Sequence, residues 1–337
     1  MKDYRKQTRF GLTLLLLMAI LLAGCAPAAA PTQAPKTLKV GLLSPGPVHD
    51  GGWNELAYES IKLIEKELGA KVSYVEISDS PSDIEKAFRD YASQGYDMII
   101  GHSYVHQDAA EIVAKDYPKV VFLTSGGEKV GANYAPVIFK ENEVMYLLGI
   151  IAAHMTKTGK AIGVGGEEIP AISLPSDGFK AGFETVSGNQ YTITYINSWE
   201  DIVVGKEAAL AGIAAGADIV IPNANIAGQG AFQAAEEKGI WAFGTNTDQS
   251  SLSPKTILAS TVFNYAQAYL DIAKSIQGGT FKGNHVFAVG LENAQAAYVA
   301  YNPALKDKIP ADVLKMVETA RQDIVSGKLV VPGNMIP

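Results

Sequence analysis

Leu38-Lys39-Val40-Gly41-Leu42-Leu43-Ser44-Pro45-Gly46-Pro47-Val48-His49-Asp50-Gly51-Gly52-Trp53-Asn54 is the stretch on which the architecture turns. Leu38–Leu43 is a short apolar run bounded by turn residues, the pattern of a buried strand. Directly after it, Leu56, Ile61, Ile64 and Leu68 recur on one face of a helix over 54–68. The loop between them has glycines that let the backbone turn tightly or lie close to a ligand. It also carries an acid, an indole and an amide in Asp50, Trp53 and Asn54. A carboxylate accepts hydroxyl or amine protons, an indole face stacks on a flat ring, and an amide both donates and accepts. The first βα loop of an open α/β sheet is a ligand-binding position. A glycine turn whose Trp caps the core would use the same residues.

Working outward, strand and helix patterns alternate. Strands are expected at 72–77, 98–100 and 120–124, with helices at 82–94 and 107–115 between them. This βαβαβα rhythm calls for a parallel sheet covered by helices on both faces. A strand at 135–139 leads out of this unit, and a very apolar helix at 143–158 follows, too interrupted to span a membrane. The rhythm then restarts, with strands at 161–164, 191–196, 219–222 and 241–244 and helices at 177–186, 204–215 and 230–238. A strand at 256–262, a helix at 265–276, strands at 285–290 and 297–301, a helix at 311–326 and a short strand at 329–331 could return to either unit. The expectation is α/β, with two doubly wound parallel sheets joined by a hinge and a ligand between the lobes. Residues 37–142 with about 260–284 would form the first lobe, and 143–259 with about 285–337 the second.

The amino terminus reads differently. Lys2, Arg5, Lys6 and Arg9 precede an uncharged apolar run from Phe10 to Ala23 that is short for a membrane span and suits a signal peptide over 1–24. The run ends in Leu22-Ala23-Gly24-Cys25, which resembles a bacterial lipobox, and Cys25 is the one cysteine of the chain. Lipidation at Cys25 is expected, with the Ala- and Pro-rich 25–36 as a tether. The protein would then be extracytoplasmic, with the membrane as a partner through the lipid alone.

Net charge is −7 over 337 residues; the first 24 carry +3, which leaves −10 for the rest. An acidic body argues against a nucleic-acid partner. One cysteine allows neither a disulfide framework nor a cysteine zinc site. The five histidines show no metal spacing and no nucleophile elbow is present, so neither a metal nor a catalytic set is expected. Gly163-Val164-Gly165-Gly166 lacks the lysine of a phosphate loop. No cofactor is expected, and the chain reads as a monomer.

The polar and aromatic residues gather at the carboxyl ends of the expected strands, the ligand-binding edge of an open α/β sheet. In the first unit these are Asp50, Trp53 and Asn54, then His102, Ser103 and Tyr104, then Ser125. In the second they are Trp199, then Asn223 and Asn225, then Asn246 and Asp248. Trp53 and Trp199 lie at corresponding edges of the two units, so an aromatic from each could sandwich a planar ring. Acids without matching Lys or Arg suit hydroxyl or amine donors and disfavour phosphates and carboxylates. The same Asn and Asp residues also close turns. Trp241, at a strand start, is expected in the core.

Blocks in this order and spacing resemble the basic membrane protein family of substrate-binding lipoproteins of ABC importers. They are Asp50-Gly51-Gly52-Trp53-Asn54, Phe139-Lys140-Glu141-Asn142-Glu143 with Tyr146-Leu147-Leu148-Gly149, Met155-Thr156-Lys157-Thr158-Gly159, Phe179-Lys180-Ala181-Gly182-Phe183, Trp199-Glu200-Asp201, Gly216-Ala217-Asp218, Asn246-Thr247-Asp248-Gln249 and Leu258-Ala259-Ser260-Thr261-Val262. The resemblance implies a two-lobed periplasmic-binding-protein fold of the sugar-receptor type, a purine nucleoside or nucleobase ligand, and an ABC permease as partner. It implies that Trp53 and Trp199 stack on the base, while Asp50, Asn54 and Asp248 bond polar edges or ribose hydroxyls. Two positions depart from the nucleoside-receptor pattern. Ser125-Gly126 stands where that branch has an acid, and Phe263 where it has a lysine. A free base or another planar ligand is therefore left open. A sensor that presents a ligand to a signalling partner and a sugar-binding protein of the same fold are the alternatives.

Overall fold

The computed structural model describes residues 37–78 and 80–334. The expected signal peptide, the tether and Cys25 lie outside the described residues.

The chain first lays down β1 (Lys39–Ser44), α1 (Trp53–Leu68), β2 (Lys71–Glu76), α2 (Pro81–Ser93), β3 (Met98–Gly101), α3 (Gln107–Asp116), β4 (Val121–Ser125) and β5 (Tyr134–Phe139). It continues with α4 (Glu141–Met155), β6 (Lys160–Gly165), α5 (Pro170–Phe183), β7 (Gln190–Tyr195), α6 (Ile202–Ala214), β8 (Ile219–Asn223), α7 (Gly228–Lys238), β9 (Trp241–Gly244) and β10 (Ile257–Phe263). It ends with α8 (Tyr265–Gln277), β11 (Phe287–Val289), β12 (Ala297–Tyr301) and α9 (Ala311–Val325).

Two six-stranded sheets result, in the orders β11-β5-β4-β3-β1-β2 and β12-β10-β9-β8-β6-β7. The first is parallel throughout. The second is parallel except for β12, which runs antiparallel to β10. β1 lies inside the sheet between β3 and the edge strand β2, and its Val40, Leu42 and Leu43 are fully buried, because a parallel strand with helices on both faces has no solvent side. α1 turns Ala57, Ile61 and Ile64 inward at helical spacing and ends at Gly69, whose φ of 61° suits glycine and whose N–H reaches the Glu65 carbonyl. In the second lobe α4 is buried on nearly every side from Val144 to Ala153. It lies so close to α5 that a β-carbon on Gly149 would stand 2.3 Å from the Phe179 carbonyl oxygen, and one on Gly182 2.2 Å from that of Tyr146. The Phe179–Phe183 block is therefore a helix-packing motif.

The chain crosses between lobes three times, after β5, after β10 and after β11. The crossings are laced together: Lys140 N donates to the Val289 carbonyl at 2.7 Å and Asn264 N to that of Ala296 at 2.7 Å. The Leu291 amide donates to the Glu143 carboxylate at 3.2 Å. Three short adjacent crossings make a hinge.

Several expectations change. The segment 285–290 was expected in the second lobe, but β11 pairs with β5 and closes the first sheet. β10, expected to be divided near residue 260, lies wholly in the second sheet between β9 and β12. Residues 329–331 form no strand; instead Asn142 Nδ2 donates to the carbonyls of Val331 and Pro332, which pins the end of the described chain to α4. Helix α4 begins at Glu141, two residues earlier than its pattern indicated, and α5 begins at Pro170, with a second proline, Pro175, inside it. Trp241 is half-buried and packs on the core.

Candidate functional site

A cavity of about 410 Å³ opens between the carboxyl ends of the two sheets, within the range of small-molecule sites. From the first lobe the β1–α1 loop supplies Trp53 and Asn54, the β3–α3 turn Ser103 and Tyr104, and the end of β4 Ser125 and Gly126. From the second lobe come Glu167, Ile169 and Ile172 after β6, Ser198, Trp199 and Glu200 after β7, Asn223 and Asn225 after β8, and Asn246 after β9. The hinge contributes Phe139, Glu141 and Tyr265. Neither Lys nor Arg lines the wall, while three acids do.

Trp53 stands on a built platform. His102 is stacked beneath its indole, with centroids 4.3 Å apart and planes at 23°, and Tyr265 meets its edge at 5.3 Å. His102 is fully buried, and desolvation lowers its imidazole pKa to about 3, so the ring is neutral at pH 7. Its Nε2 lies 2.7 Å from the Trp53 carbonyl oxygen, its Nδ1 2.5 Å from Ser125 Oγ, and that oxygen 2.7 Å from the Tyr269 hydroxyl. A carbonyl can only accept, so Nε2 carries the proton and Nδ1 accepts from Ser125. Ser125 Oγ must then accept from Tyr269. One directed chain, Tyr269 to Ser125 to His102 to the Trp53 backbone, fixes the indole. Ser125 thus reaches the wall, but its hydroxyl is committed behind it.

Trp199, in the opposite wall, lies on Gly166: a β-carbon there would fall 2.3 Å from the indole. The glycines of 163–166 thus serve packing. Gly163 clears Tyr191 and Gly165 clears Tyr195. Asn225 and Asn246 hold φ of 53° and 71°, a left-handed conformation that asparagine tolerates better than most residues. Each closes its loop and also lines the cavity. Asn246 Nδ2 donates to Asn223 Oδ1 at 3.3 Å.

Of the ten expected ligand residues, Trp53, Asn54, Ser103, Tyr104, Ser125, Trp199, Asn223 and Asn225 are brought to one cavity. Asp50 and Asp248 are not. Asp50 is 5% exposed, and its carboxylate accepts backbone N–H bonds from Gly52, Asn54 and Glu55 at 2.8, 2.9 and 3.2 Å. It anchors the first turn of α1, where the free amides and the positive end of the dipole favour an acid. Asp248 is exposed, with Oδ1 accepting from the Ser250 amide at 3.0 Å. Asn54 is 2% exposed, and its Oδ1 has no hydrogen-bond partner among the described residues.

Glu141 and Tyr265 were not expected in the site. Each follows the carboxyl end of a strand, β5 and β10, so the rule applied to the other strands would have found them. Glu141 is 6% exposed, and burial alone raises its carboxyl pKa to about 8. Tyr265 is fully buried, and desolvation, then the neighbouring Glu141, push its phenol well above the ordinary value.

The family model of PnrA-like ABC transporter substrate-binding proteins, Bmp, matches residues 37–335. The chain belongs to the Bmp family. This Bmp member is 29% identical to a purine-binding protein of Brucella abortus over 300 residues, 88% of this chain and 83% of that one. It is 27% identical to the transcriptional activator protein Med of Bacillus subtilis, over 91% of this chain and 95% of that one. A solute-binding protein of an ABC transporter system from Aeropyrum pernix superposes with a TM-score of 0.77 at 23% identity, covering 88% and 94% of the two chains. The two-lobed fold is that of the periplasmic solute-binding proteins of the sugar-receptor type. Bmp proteins are solute receptors rather than enzymes, and they work with a permease outside the cytoplasm.

Proposed function

We propose that this Bmp protein closes on a purine nucleobase or nucleoside and delivers it to an ABC permease, acting as a monomer held to the membrane by lipid at Cys25. The observation that carries the reading is the pairing of Trp53 and Trp199, one from each lobe, in a cavity lined by three acids and no basic residue. Indole stacking contributes about 1–3 kcal/mol per base. A wall without Lys or Arg offers a phosphate no counter-charge, which sets nucleosides and bases apart from nucleotides. The Brucella relative is named for purine binding.

Titration calorimetry of the full-length protein in detergent tests this. Adenine, adenosine, guanosine or inosine should release heat, and the corresponding monophosphates should not. No heat and no thermal shift with any of the four removes the purine reading, and binding of a hexose instead would establish a sugar receptor. The Med relative supports a second reading, in which the bound ligand is presented to a signalling partner. Deletion of the gene separates the two: loss of purine uptake marks transport, and unchanged uptake with altered transcription marks sensing.

A further inference from the structure

We propose that Glu141 reads the polar edge of the ligand as a neutral carboxylic acid, and that the protein therefore selects an uncharged ring presenting an acceptor nitrogen beside an N–H donor. The inference rests on the purine reading and names the group that would recognise the base.

Glu141 opens α4 at the hinge, where the chain leaves β5, and faces the cavity beside Tyr265. It is nine-tenths buried and makes neither a hydrogen bond nor an ion pair with any described residue. An unpaired buried carboxylate is costly, so such a group either takes a proton or finds a partner. No cation answers it. The titratable group set against it is the Tyr265 phenol of α8, itself harder to ionise than usual. Tyr104, Glu167 and Glu200 face the same cavity from other walls and bring no positive charge. Just before it in the chain, the Lys140 ammonium is engaged by Glu292 at 3.1 Å, and on its own helix the Glu143 carboxylate is engaged by the Leu291 amide at 3.2 Å.

Burial raises the Glu141 pKa to about 8, so the proton is on at neutral pH. A neutral carboxyl has one O–H donor and one carbonyl acceptor side by side. Its complement is an amidine-type edge, a ring nitrogen next to an amino group, as in an aminopurine. A carboxylate would instead demand two donors. Trp53, which lines the same cavity, would hold the ring by its face while Glu141 takes its edge.

The test is calorimetric titration of adenine into the full-length protein and two variants at pH 6.5 and pH 9. Wild-type affinity should fall about tenfold between these pH values, as the donor proton is lost. Glu141→Gln keeps a donor beside an acceptor. It should bind within about threefold of wild type at pH 6.5 and lose the pH dependence. Glu141→Leu should bind at least about tenfold more weakly. A Gln variant as weak as the Leu variant, an affinity that rises with pH, or a Leu variant equal to wild type overturns the assignment while leaving the purine reading intact. Wild-type protein silent to adenine, adenosine, guanosine and inosine overturns both.

Discussion

Asn225 Oδ1, on the second lobe, accepts a hydrogen bond from the backbone N–H of Trp53, on the first, at 3.2 Å. The donor is one of the free amides at the start of α1, and Gly52 beside it allows the approach, since a β-carbon there would lie 3.0 Å from the same oxygen. The lobes are thus latched directly, at the residue expected to stack on the ligand. Closure is a shift between pre-existing states, and a lobe–lobe bond made only in the closed state adds to the bias that a ligand supplies. Asn225→Gly removes the side chain while tolerating the φ of 53°. One such bond is worth about 0.5–1.5 kcal/mol. The variant should be more open without ligand in small-angle scattering, and should bind purine about 3–10-fold more weakly at unchanged thermal stability. A scattering profile identical to wild type would leave the latch without a role in closure.

The platform under Trp53 makes stability sensitive to acid. Folding depresses the pKa of His102 to about 3, below the ordinary imidazole value of 6.5. A depressed pKa stabilises above the unfolded value and loses that contribution as pH falls. The window here runs from about 6.5 down to about 3, and each bound proton steepens the loss by about 1.4 kcal/mol per pH unit at most. His102→Phe keeps a stacking ring and has no proton to take up. Urea unfolding at pH 7 and pH 4.5 should show wild type losing more stability between the two than the variant does. Equal losses would place the acid sensitivity elsewhere.

Glu141 acts in the opposite sense. Its pKa is raised from 4.5 to about 8, so its contribution is full below about 4.5 and is lost as pH rises toward 8. Glu141→Gln, without ligand, should therefore melt at a higher temperature than wild type at pH 8 and at a similar one at pH 4.5. A gain of the same size at both pH values would mean that packing, not ionisation, separates the two side chains.

The fold was legible where local chemistry and global architecture agree. Leu42 and Leu43 are consecutive apolar residues because β1 is covered on both faces, and the strand-to-loop pattern after it led to eight of the cavity residues. The tail was not legible. Phe287–Val289 carries no signal for which sheet it joins, since edge pairing with β5 depends on where the third crossing returns. Asp50 was misjudged for a different reason: an acid that binds a ligand and one that holds the amides of α1 have the same sequence neighbourhood, and only the three N–H bonds separate them. Trp53 also changed meaning. It is both a wall and the lid of a buried histidine, so Trp53→Ala would remove binding and disturb the core together. Trp199 is the cleaner probe of stacking.

That probe can be applied without touching the indole. Trp199 rests on the backbone of Gly166, and a methyl group there would stand 2.3 Å from Cε3 and Cζ3 of the ring. Real contacts of this kind do not occur, so in Gly166→Ala the indole must shift, while the rest of the second sheet keeps its packing. The φ of Gly166 lies outside the left-handed range, so backbone strain adds nothing and the effect isolates the ring's position. If Trp199 stacks on the ligand, Gly166→Ala should cost much of the stacking energy, about 1–3 kcal/mol, and weaken purine binding by roughly 5–150-fold. Its melting temperature without ligand should stay near wild type, because Trp199 is half-buried and outside the core clusters. Tryptophan emission should shift on substitution, which reports the moved ring independently of binding. A moved ring with unchanged affinity would remove Trp199 from the site and leave Trp53 as the single stacking face.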